Sequence, residues 1–169
     1  MRNHRSVWAG VVCCGWLALA GCSLPAAETE TLEMPNRGIF PKVSNALEGR
    51  CATLDCHGGE GRNLRLYSGN GLRLTAGELP GSVETTDEEI EANYRSIVGL
   101  EPELMSEVVA DGGEEIERLV LMRKALGLEK HAAGAVIVSD DATYRCIRSW
   151  LRGTLDDLRC LESAAFGPP

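Results

Sequence analysis

The sequence lacks the side-chain sets on which most enzymatic reactions depend. No nucleophilic side chain stands beside a neighbouring base, and no glycine-rich loop of the kind that holds phosphates is present. Pairs of metal-ligating residues at helical spacing are also missing. The acidic run DEEIE is better interpreted as the solvated surface of a helix than as a paired acid and base. These absences argue against an enzyme.

Basic residues are also scarce. The chain has 17 Lys and Arg residues against 25 Asp and Glu residues, which gives a formal net charge of -8. Nucleic acids and anionic membrane surfaces are bound mainly through clustered Lys and Arg side chains. We therefore expect no nucleic acid as a partner. No internal repeat is visible, and the length suits one domain.

A hydrophobic run long enough to span a membrane is missing from the amino-terminal region. Arg2 and Arg5 precede the apolar run VWAGVVCCGWLALA, which a polar segment follows closely. This order is typical of an export signal. The LAGC sequence at residues 19–22 resembles the bacterial lipobox, in which cleavage precedes a diacylated cysteine. The resemblance implies a signal peptide at residues 1–21 and a lipid anchor on Cys22; an ordinary secretory signal is the alternative.

The lipid anchor would place the protein in the cell envelope, facing the periplasm or the cell surface. Ser23 after the lipidated cysteine favours the outer membrane, by resemblance to known sorting patterns. Residues 22–38 are rich in Ala, Glu, Thr and Pro and have no apolar period, which indicates a flexible tether. Residues 39–169 are then predicted to form the folded domain.

Cysteines and a histidine are brought together in GRCATLDCHGGEG, residues 49–61. A covalent haem is usually attached through C-x-x-C-H, but four residues separate Cys51 from Cys56 here. His57 follows directly, where a residue next to a thioether can reach the iron. Along a helix this spacing would span about 7.5 Å, beyond the Cα separation of about 4.4–6.8 Å usual for a disulfide. Thioethers and a Cys51–Cys56 disulfide therefore both require a loop, and a zinc site that adds His57 and His131 is a third alternative.

Two further cysteines, Cys146 and Cys160, lie one on each of two successive predicted helices. In an exported protein, thiols normally form disulfides. The simplest pairing closes a helical hairpin, and a loop of this size is stabilised by roughly 3 kcal/mol in the chain-entropy estimate.

Hydrophobic spacing predicts a mostly α-helical domain. IFPKVSNALEGRC predicts a helix that enters the cysteine loop, and NLRLYSGNGLRL after it predicts a short hairpin or two extended arms. Thr86 and Glu89 fit a capping box ahead of a helix that ends at Gly99. GGEEIERLVLMRKALG predicts a helix, with extended backbone at its start as the alternative. LDDLRCLESAA predicts a short final helix. SDDATYRCIRSWLRG predicts a helix that stops at Gly153, with a buried stripe of Tyr144, Ile147, Trp150 and Leu151.

Three separated motifs resemble, in the same order, the small cytochrome c-like domains of large Gram-negative cell-surface and periplasmic proteins. These motifs are CATLDCHGGEG, LVLMRKALGLEKHAAG and DDATYRCIRSWLRG. The resemblance implies a small helical domain with one haem c bound through thioethers to Cys51 and Cys56. His57 would be the proximal iron ligand and His131 the candidate distal ligand. Trp150 would pack on the first helix beside the haem edge.

The same resemblance implies a carrier of single electrons. Its partner would be a redox protein in the cell envelope with a complementary, basic docking face. A haem-free lipoprotein with the same fold, in which both cysteine pairs are disulfides, is the alternative. In that case the protein would have a structural or binding role.

Several residues of these motifs have alternative interpretations. His131 can equally be a solvent-exposed loop residue, and Met105 or Met122 would then be the sixth iron ligand, which would raise the reduction potential. Three arginines are typical of a solvated face, but they can also pair with haem propionates, because guanidinium matches a carboxylate bidentately. These arginines are Arg62, Arg65 and Arg73.

Overall fold

The computed structural model describes residues 31–165. The predicted signal peptide, the lipidation of Cys22 and the first part of the predicted tether lie outside these residues. Between residues 31 and 165, no helix combines the length and the apolar character needed to cross a membrane.

Regular structure in the described part of the chain is entirely helical, which confirms the prediction of a mostly α-helical domain. No strand occurs between residues 31 and 165. Short 3-10 turns precede the first and fourth helices, at Arg37–Ile39 and Ile116–Arg118. The helices are α1 (Phe40–Cys51), α2 (Asp87–Val98), α3 (Pro102–Ala110), α4 (Val120–Ala125), α5 (Ala142–Leu151) and α6 (Asp157–Ala165).

Helix α1 leads directly into the cysteine motif, as predicted. Pro41 lies in its first turn, where a missing N–H breaks no helical hydrogen bond. Val43 and Leu47 are buried on its inner face. Helix α6 packs on α1, and the Ser163 hydroxyl of α6 donates a hydrogen bond to the Ala46 carbonyl oxygen of α1 at 3.0 Å.

Helix α2 begins with the predicted capping box. The Thr86 hydroxyl accepts from the Glu89 N–H at 3.3 Å, and the Glu89 carboxylate accepts from the Thr86 N–H at 3.0 Å. Its most buried residues are Glu89, Asn93 and Ile97, so two polar side chains occupy the inner face. The Asn93 amide satisfies its polar groups by exchanging hydrogen bonds with the backbone of Tyr67. Ile90, Tyr94 and Val98 pack against the core beside them.

The segment NLRLYSGNGLRL forms two arms around a turn without pairing as strands. The turn is closed at residues 68–71 by a backbone hydrogen bond of 3.1 Å. The Leu66 N–H donates to the His57 carbonyl oxygen, and the Leu72 N–H donates to the Gly58 carbonyl oxygen. The segment therefore takes the second of the two predicted forms, two arms, which these hydrogen bonds hold against the cysteine motif.

Two helices differ from the sequence prediction. Helix α3 was not predicted, although Pro102 occupies its first turn and Met105 and Val108 are buried. Helix α4 is short, and the 3-10 turn Ile116–Arg118 precedes it in place of a longer helix. The extended start given as an alternative is not formed, because this segment begins with a 3-10 turn; only Leu119 between the turn and α4 has extended backbone.

Helices α5 and α6 form the predicted disulfide-linked pair. The Cys146–Cys160 bridge joins them with a Cα separation of 4.8 Å. The predicted stripe on α5 is buried, and the Trp150 ring packs on Phe40 of the first helix with centroids 5.0 Å apart. The prediction that Trp150 packs on the first helix is therefore confirmed.

The folded domain was predicted to begin at residue 39, but residues before it are already hydrogen-bonded to the helices. Each attachment joins the backbone of the segment to a side chain on a different helix. The hydrogen bonds are Glu33 N–H to the Ser106 hydroxyl at 2.8 Å, the Tyr94 hydroxyl to the Pro35 carbonyl at 2.8 Å, and the Trp150 indole N–H to the Asn36 carbonyl at 2.9 Å. The packed domain thus includes the chain from Glu33 onward.

Candidate functional site

The four residues between the cysteines form a loop at the end of α1. Cys51 is the last residue of the helix. The Cys56 N–H donates to the Thr53 carbonyl oxygen at 2.9 Å, and the His57 N–H returns to the Cys51 carbonyl oxygen at 2.8 Å. Leu54, inside the loop, is 51% exposed. The loop that the spacing requires is therefore present, and it brings His57 back to the helix end.

Both cysteines of this motif are free thiols that line one cavity. Cys51 is buried and Cys56 is half-buried. The pKa of the Cys51 thiol is raised to about 12, mainly by burial. The nearby Cys56 contributes to this increase, and Arg50 opposes it. The Cys51 side chain is therefore a protonated thiol at neutral pH. The alternative Cys51–Cys56 disulfide is not formed in this structure.

The backbone behind His57 is tightly packed around the Ala52 carbonyl group. The Ser68 hydroxyl donates to this oxygen at 2.9 Å. A Cβ atom at Gly58 or at Gly71 would overlap the same oxygen. Glycine is therefore required at these positions by the close approach of three backbone segments.

Hydrogen bonds to backbone carbonyls set the tautomer of both histidines. His57 Nδ1 lies 3.0 Å from the Leu64 carbonyl oxygen, and His131 Nδ1 lies 2.9 Å from the Gly134 carbonyl oxygen. A carbonyl oxygen only accepts, so each Nδ1 carries the proton. Nε2 of each neutral ring is then the nitrogen left to bind a metal, an arrangement common among metal-ligating histidines.

Burial keeps His57 in the neutral form that a metal ligand needs. Desolvation lowers the pKa of His57, and the charges of His131 and Arg62 lower it further. The hydrogen bond with the Leu64 carbonyl acts in the opposite direction but does not cancel these effects.

A tight turn presents His131. The Gly134 N–H donates back to the His131 carbonyl oxygen at 3.0 Å, and Gly134 has a φ of 70°, which a side chain would strain. Ala132 and Ala133 are exposed at the tip of this turn. The alanines that distinguish HAAG from a histidine-glycine-glycine sequence therefore occupy solvent-facing positions.

The two histidine rings lie close together and nearly parallel. Their centroids are 5.9 Å apart and their planes are inclined by 10°. The fold thus brings together, as a stacked pair, two histidines from distant parts of the sequence.

A cavity of about 510 Å³ contains both histidines and both cysteines. This volume falls within the range of about 300–1,000 Å³ that is usual for ligand and cofactor pockets. Its charged lining side chains are all cationic: Arg50, Arg62 and Lys124. The apolar lining comes mainly from Leu47, Leu64, Leu66, Leu100, Leu121 and Val136.

The methionines proposed as alternative ligands lie elsewhere. Met105 and Met122 are 1% and 0% exposed, and neither lines the cavity. They pack in the hydrophobic core instead. Trp150 is also absent from the cavity lining, so its expected position beside a haem edge is not what the structure shows.

The three predicted arginines have different environments. Arg62 lines the cavity, and Arg65 is exposed outside it. Arg73 is buried, with Nε and one Nη each 2.9 Å from an oxygen of the Glu89 carboxylate. Neither interpretation of Arg73 is therefore correct, because it is not solvated and its guanidinium is held by Glu89. Glu89 likewise departs from the solvated surface expected of the DEEIE run.

Sequence reasoning missed two of the cationic residues at the cavity. Arg50 is on the last turn of α1 and Lys124 is on α4, far apart in the sequence. Only the folded structure, in which both residues line the same cavity, shows that they share a site. Among the described residues, no group of three or more His, Cys, Asp and Glu side chains is arranged to hold a metal ion.

Comparisons of the chain with protein-family models, with curated proteins and with solved structures find no match.

Proposed function

We propose that this chain is a c-type cytochrome-like electron carrier that binds one haem covalently. Cys51 and Cys56 would form the thioethers, and His57 and His131 would be the axial iron ligands. The observation that carries the proposal is the nearly parallel pair of imidazoles, 5.9 Å apart, in the cavity that both cysteines line.

Hydrogen bonding prepares both histidines for this role. The Leu64 and Gly134 carbonyl groups each accept from Nδ1 of one ring, which fixes ring orientation and leaves Nε2 as the metal-binding nitrogen. When bound, the haem iron supplies one-electron redox chemistry. The chain would keep both ligands in place on oxidation and reduction, because each ring is held by backbone rather than by a mobile side chain.

Charge also favours haem as the ligand. The whole chain has a net charge of -8, but the Lys and Arg side chains among the described residues of the cavity lining, Arg50, Arg62 and Lys124, face no lining carboxylate. Arg50 and Lys124 also lie near acidic groups outside the lining, Asp141 at 3.6 Å and Glu129 at 2.8 Å. An apolar cavity with cationic side chains suits a flat apolar molecule that has carboxylates at one edge. The two propionates of haem meet this requirement.

The partner proposed for this carrier is a redox protein of the cell envelope. The acidic net charge favours a basic docking face on that partner. Attachment to the membrane through lipidated Cys22 belongs to the same proposal, because it would hold the carrier in the compartment where haem attachment occurs.

A spectrum and a mass measurement test the proposal. The protein would be produced in a host with haem-attachment machinery and purified under denaturing conditions. We expect a Soret band and a mass increase of one haem, because thioethers survive denaturation. The absence of both, with Cys51 and Cys56 found as a disulfide by mass, would instead support the haem-free structural or binding lipoprotein.

Substitution of each histidine separates ligation from attachment. His57→Ala removes the residue held against the end of α1, so we expect loss of the haem. His131→Ala leaves both thioether positions intact, so we expect covalent haem with a changed axial-ligand spectrum. An unchanged spectrum for His131→Ala would exclude His131 as a ligand.

A further inference from the structure

A half-buried glutamate with one buried carboxylate oxygen lies one helical turn before the first cysteine. Glu48 is on α1, and its Oε1 is buried without a hydrogen-bond partner among the described residues. A hydrogen bond with the Thr85 side chain stabilises the charged carboxylate. A buried carboxylate oxygen that accepts no hydrogen bond loses its hydration without compensation, and this favours binding of a proton.

The nearest guanidinium directs its donors to other groups. Arg73 binds the Glu89 carboxylate, lies 3.2 Å from a Glu78 carboxylate oxygen, and donates to the carbonyl oxygens of Val83 and Glu84. Several carboxylates thus surround one arginine, which forms its ion pairs with Glu78 and Glu89. Glu48 has no direct ion pair with Arg73 to hold its carboxylate in the charged form.

The surrounding charges act in the same direction. Burial raises the pKa of Glu48, and the carboxylates of Glu89 on α2 and Glu84 ahead of α2 raise it further. The hydrogen bond with Thr85 and the charge of Arg73 lower it without cancelling the increase.

Two leucine side chains lie beside both Glu48 and the histidine cavity. Glu48 lines a small space together with Leu47 and Leu66, and it is too small for a water molecule. Leu47 and Leu66 also line the large cavity. Charges interact strongly across apolar side chains, because little water is present to screen them.

We propose that Glu48 is a proton-binding site coupled to the electron carried in the cavity, so that the protein transfers a proton together with the electron. This inference rests on the proposed function. One electron from a donor protein adds one negative charge to the cavity. The Glu48 carboxylate then takes one proton from solvent and becomes a carboxylic acid. Loss of the electron to an acceptor protein releases the same proton.

The coupling has a defined sign. An added electron favours the neutral form of Glu48, so Glu48 binds its proton more tightly in the reduced protein than in the oxidised protein. Glu48 thus has a lower pKa in the oxidised protein and a higher pKa in the reduced protein. The reduction potential falls as pH rises between these two pKa values and does not depend on Glu48 above or below that interval. Because burial raises the Glu48 pKa above 4.5, the interval lies above that pH.

A pH series of redox titrations tests the coupling on the haem-loaded protein. The comparison uses wild type, Glu48→Gln and the control Glu88→Gln, which removes an exposed carboxylate on α2. We expect wild type and Glu88→Gln to share the pH dependence, and Glu48→Gln to lose the part between the two pKa values. A potential that does not change with pH in wild type, or the same dependence in Glu48→Gln, would overturn the inference.

Infrared difference spectra of wild type give a second readout that needs no variant. Reduction should produce a carbonyl band of a protonated carboxyl group that shifts in D2O; absence of this band would count against proton uptake by Glu48. The proposed function fails separately, by absence of a Soret band before any titration, and the inference then fails with it. A haem-loaded protein without pH coupling would overturn the inference alone.

Discussion

The backbone N–H of His57 donates to the carbonyl oxygen of Cys51 at 2.8 Å, across the loop that separates the two cysteines. The histidine is thereby held at the end of α1 although the spacing is longer than C-x-x-C-H. The additional residues extend toward solvent, and Leu54 among them is half exposed. The longer spacing changes the loop without removing His57 from the cavity.

Gly58→Ala tests the packing behind His57. A Cβ atom there would overlap the Ala52 carbonyl oxygen, so we expect the free energy of unfolding to fall by about 2 kcal/mol or more. Urea denaturation measures the change. Gly38→Ala is the control, because its Cβ would meet only the Asn36 side chain at 3.3 Å. Equal stability of the two variants would show that the backbone around Ala52 can move.

The two thiols of the motif should differ in reactivity before haem is attached. Cys51 is 8% exposed and its pKa is raised to about 12, whereas Cys56 is half-buried. The thiolate is the reactive form of cysteine. We expect iodoacetamide to modify Cys56 at least about tenfold faster than Cys51 in the folded protein. Peptide mass spectrometry measures both rates, and equal rates in the native state would contradict the burial of Cys51.

The buried ion pair should contribute strongly to stability. Glu89→Gln removes the carboxylate that binds the buried Arg73 guanidinium through two oxygens and leaves only Glu78, at 3.2 Å, as its charged partner. We expect a loss of about 3 kcal/mol in the free energy of unfolding. The control Glu91→Gln affects ion pairs with the more exposed Arg37 and Arg95, and we expect a loss of at most about 1 kcal/mol. Chemical denaturation at neutral pH compares them. A small effect of Glu89→Gln would show that water reaches Arg73.

Acidification should weaken the same pair. Burial alone would raise the pKa of Glu89, but hydrogen bonds from Arg73 and from the Thr86 and Leu74 N–H groups outweigh it and lower the pKa below 4.5. The contribution of Glu89 is therefore present above about pH 4.5 and is lost as pH falls toward the lower pKa of the folded state. We expect wild type to lose stability more steeply than Glu89→Gln below about pH 4.5 in a pH series of urea melts. Parallel curves would contradict the lowered pKa.

Removal of the disulfide should affect stability without affecting the cavity. We expect the Cys146→Ala, Cys160→Ala double variant to lose roughly 3 kcal/mol in the free energy of unfolding. Neither residue lines the cavity, so the absorption spectrum of the loaded protein should stay unchanged. A changed spectrum would show that the α5–α6 pair controls the cavity from a distance.

Local sequence signals predicted much of the helical structure. The capping residues Thr86 and Glu89 marked the start of α2, and the apolar stripe of α5 was buried as expected. Helix α3 was missed although Pro102 marked its start. The two arms after the cysteine motif were one of two predicted forms. Periodicity within one segment could not choose between them, because the backbone donors of Leu66 and Leu72 pair with the cysteine motif.

The site was predictable as a set of residues but not as an arrangement. The motifs pointed to His57 and His131, whereas the parallel rings and the carbonyl partners of both Nδ1 atoms depend on tertiary packing. Arg73 was misread for the same reason. Its partner Glu89 lies on another element, and nothing in the local sequence of either residue indicates the pair.

The attachment of the chain ahead of α1 has a mechanical consequence. Its backbone is hydrogen-bonded to side chains of α2, α3 and α5 before the first helix begins. A pulling force applied at the amino terminus would load these hydrogen bonds before it reached α1 and the cysteine loop. Tension on the chain would therefore be resisted at a distance from the two histidines, whose spacing would be maintained while the chain is under load.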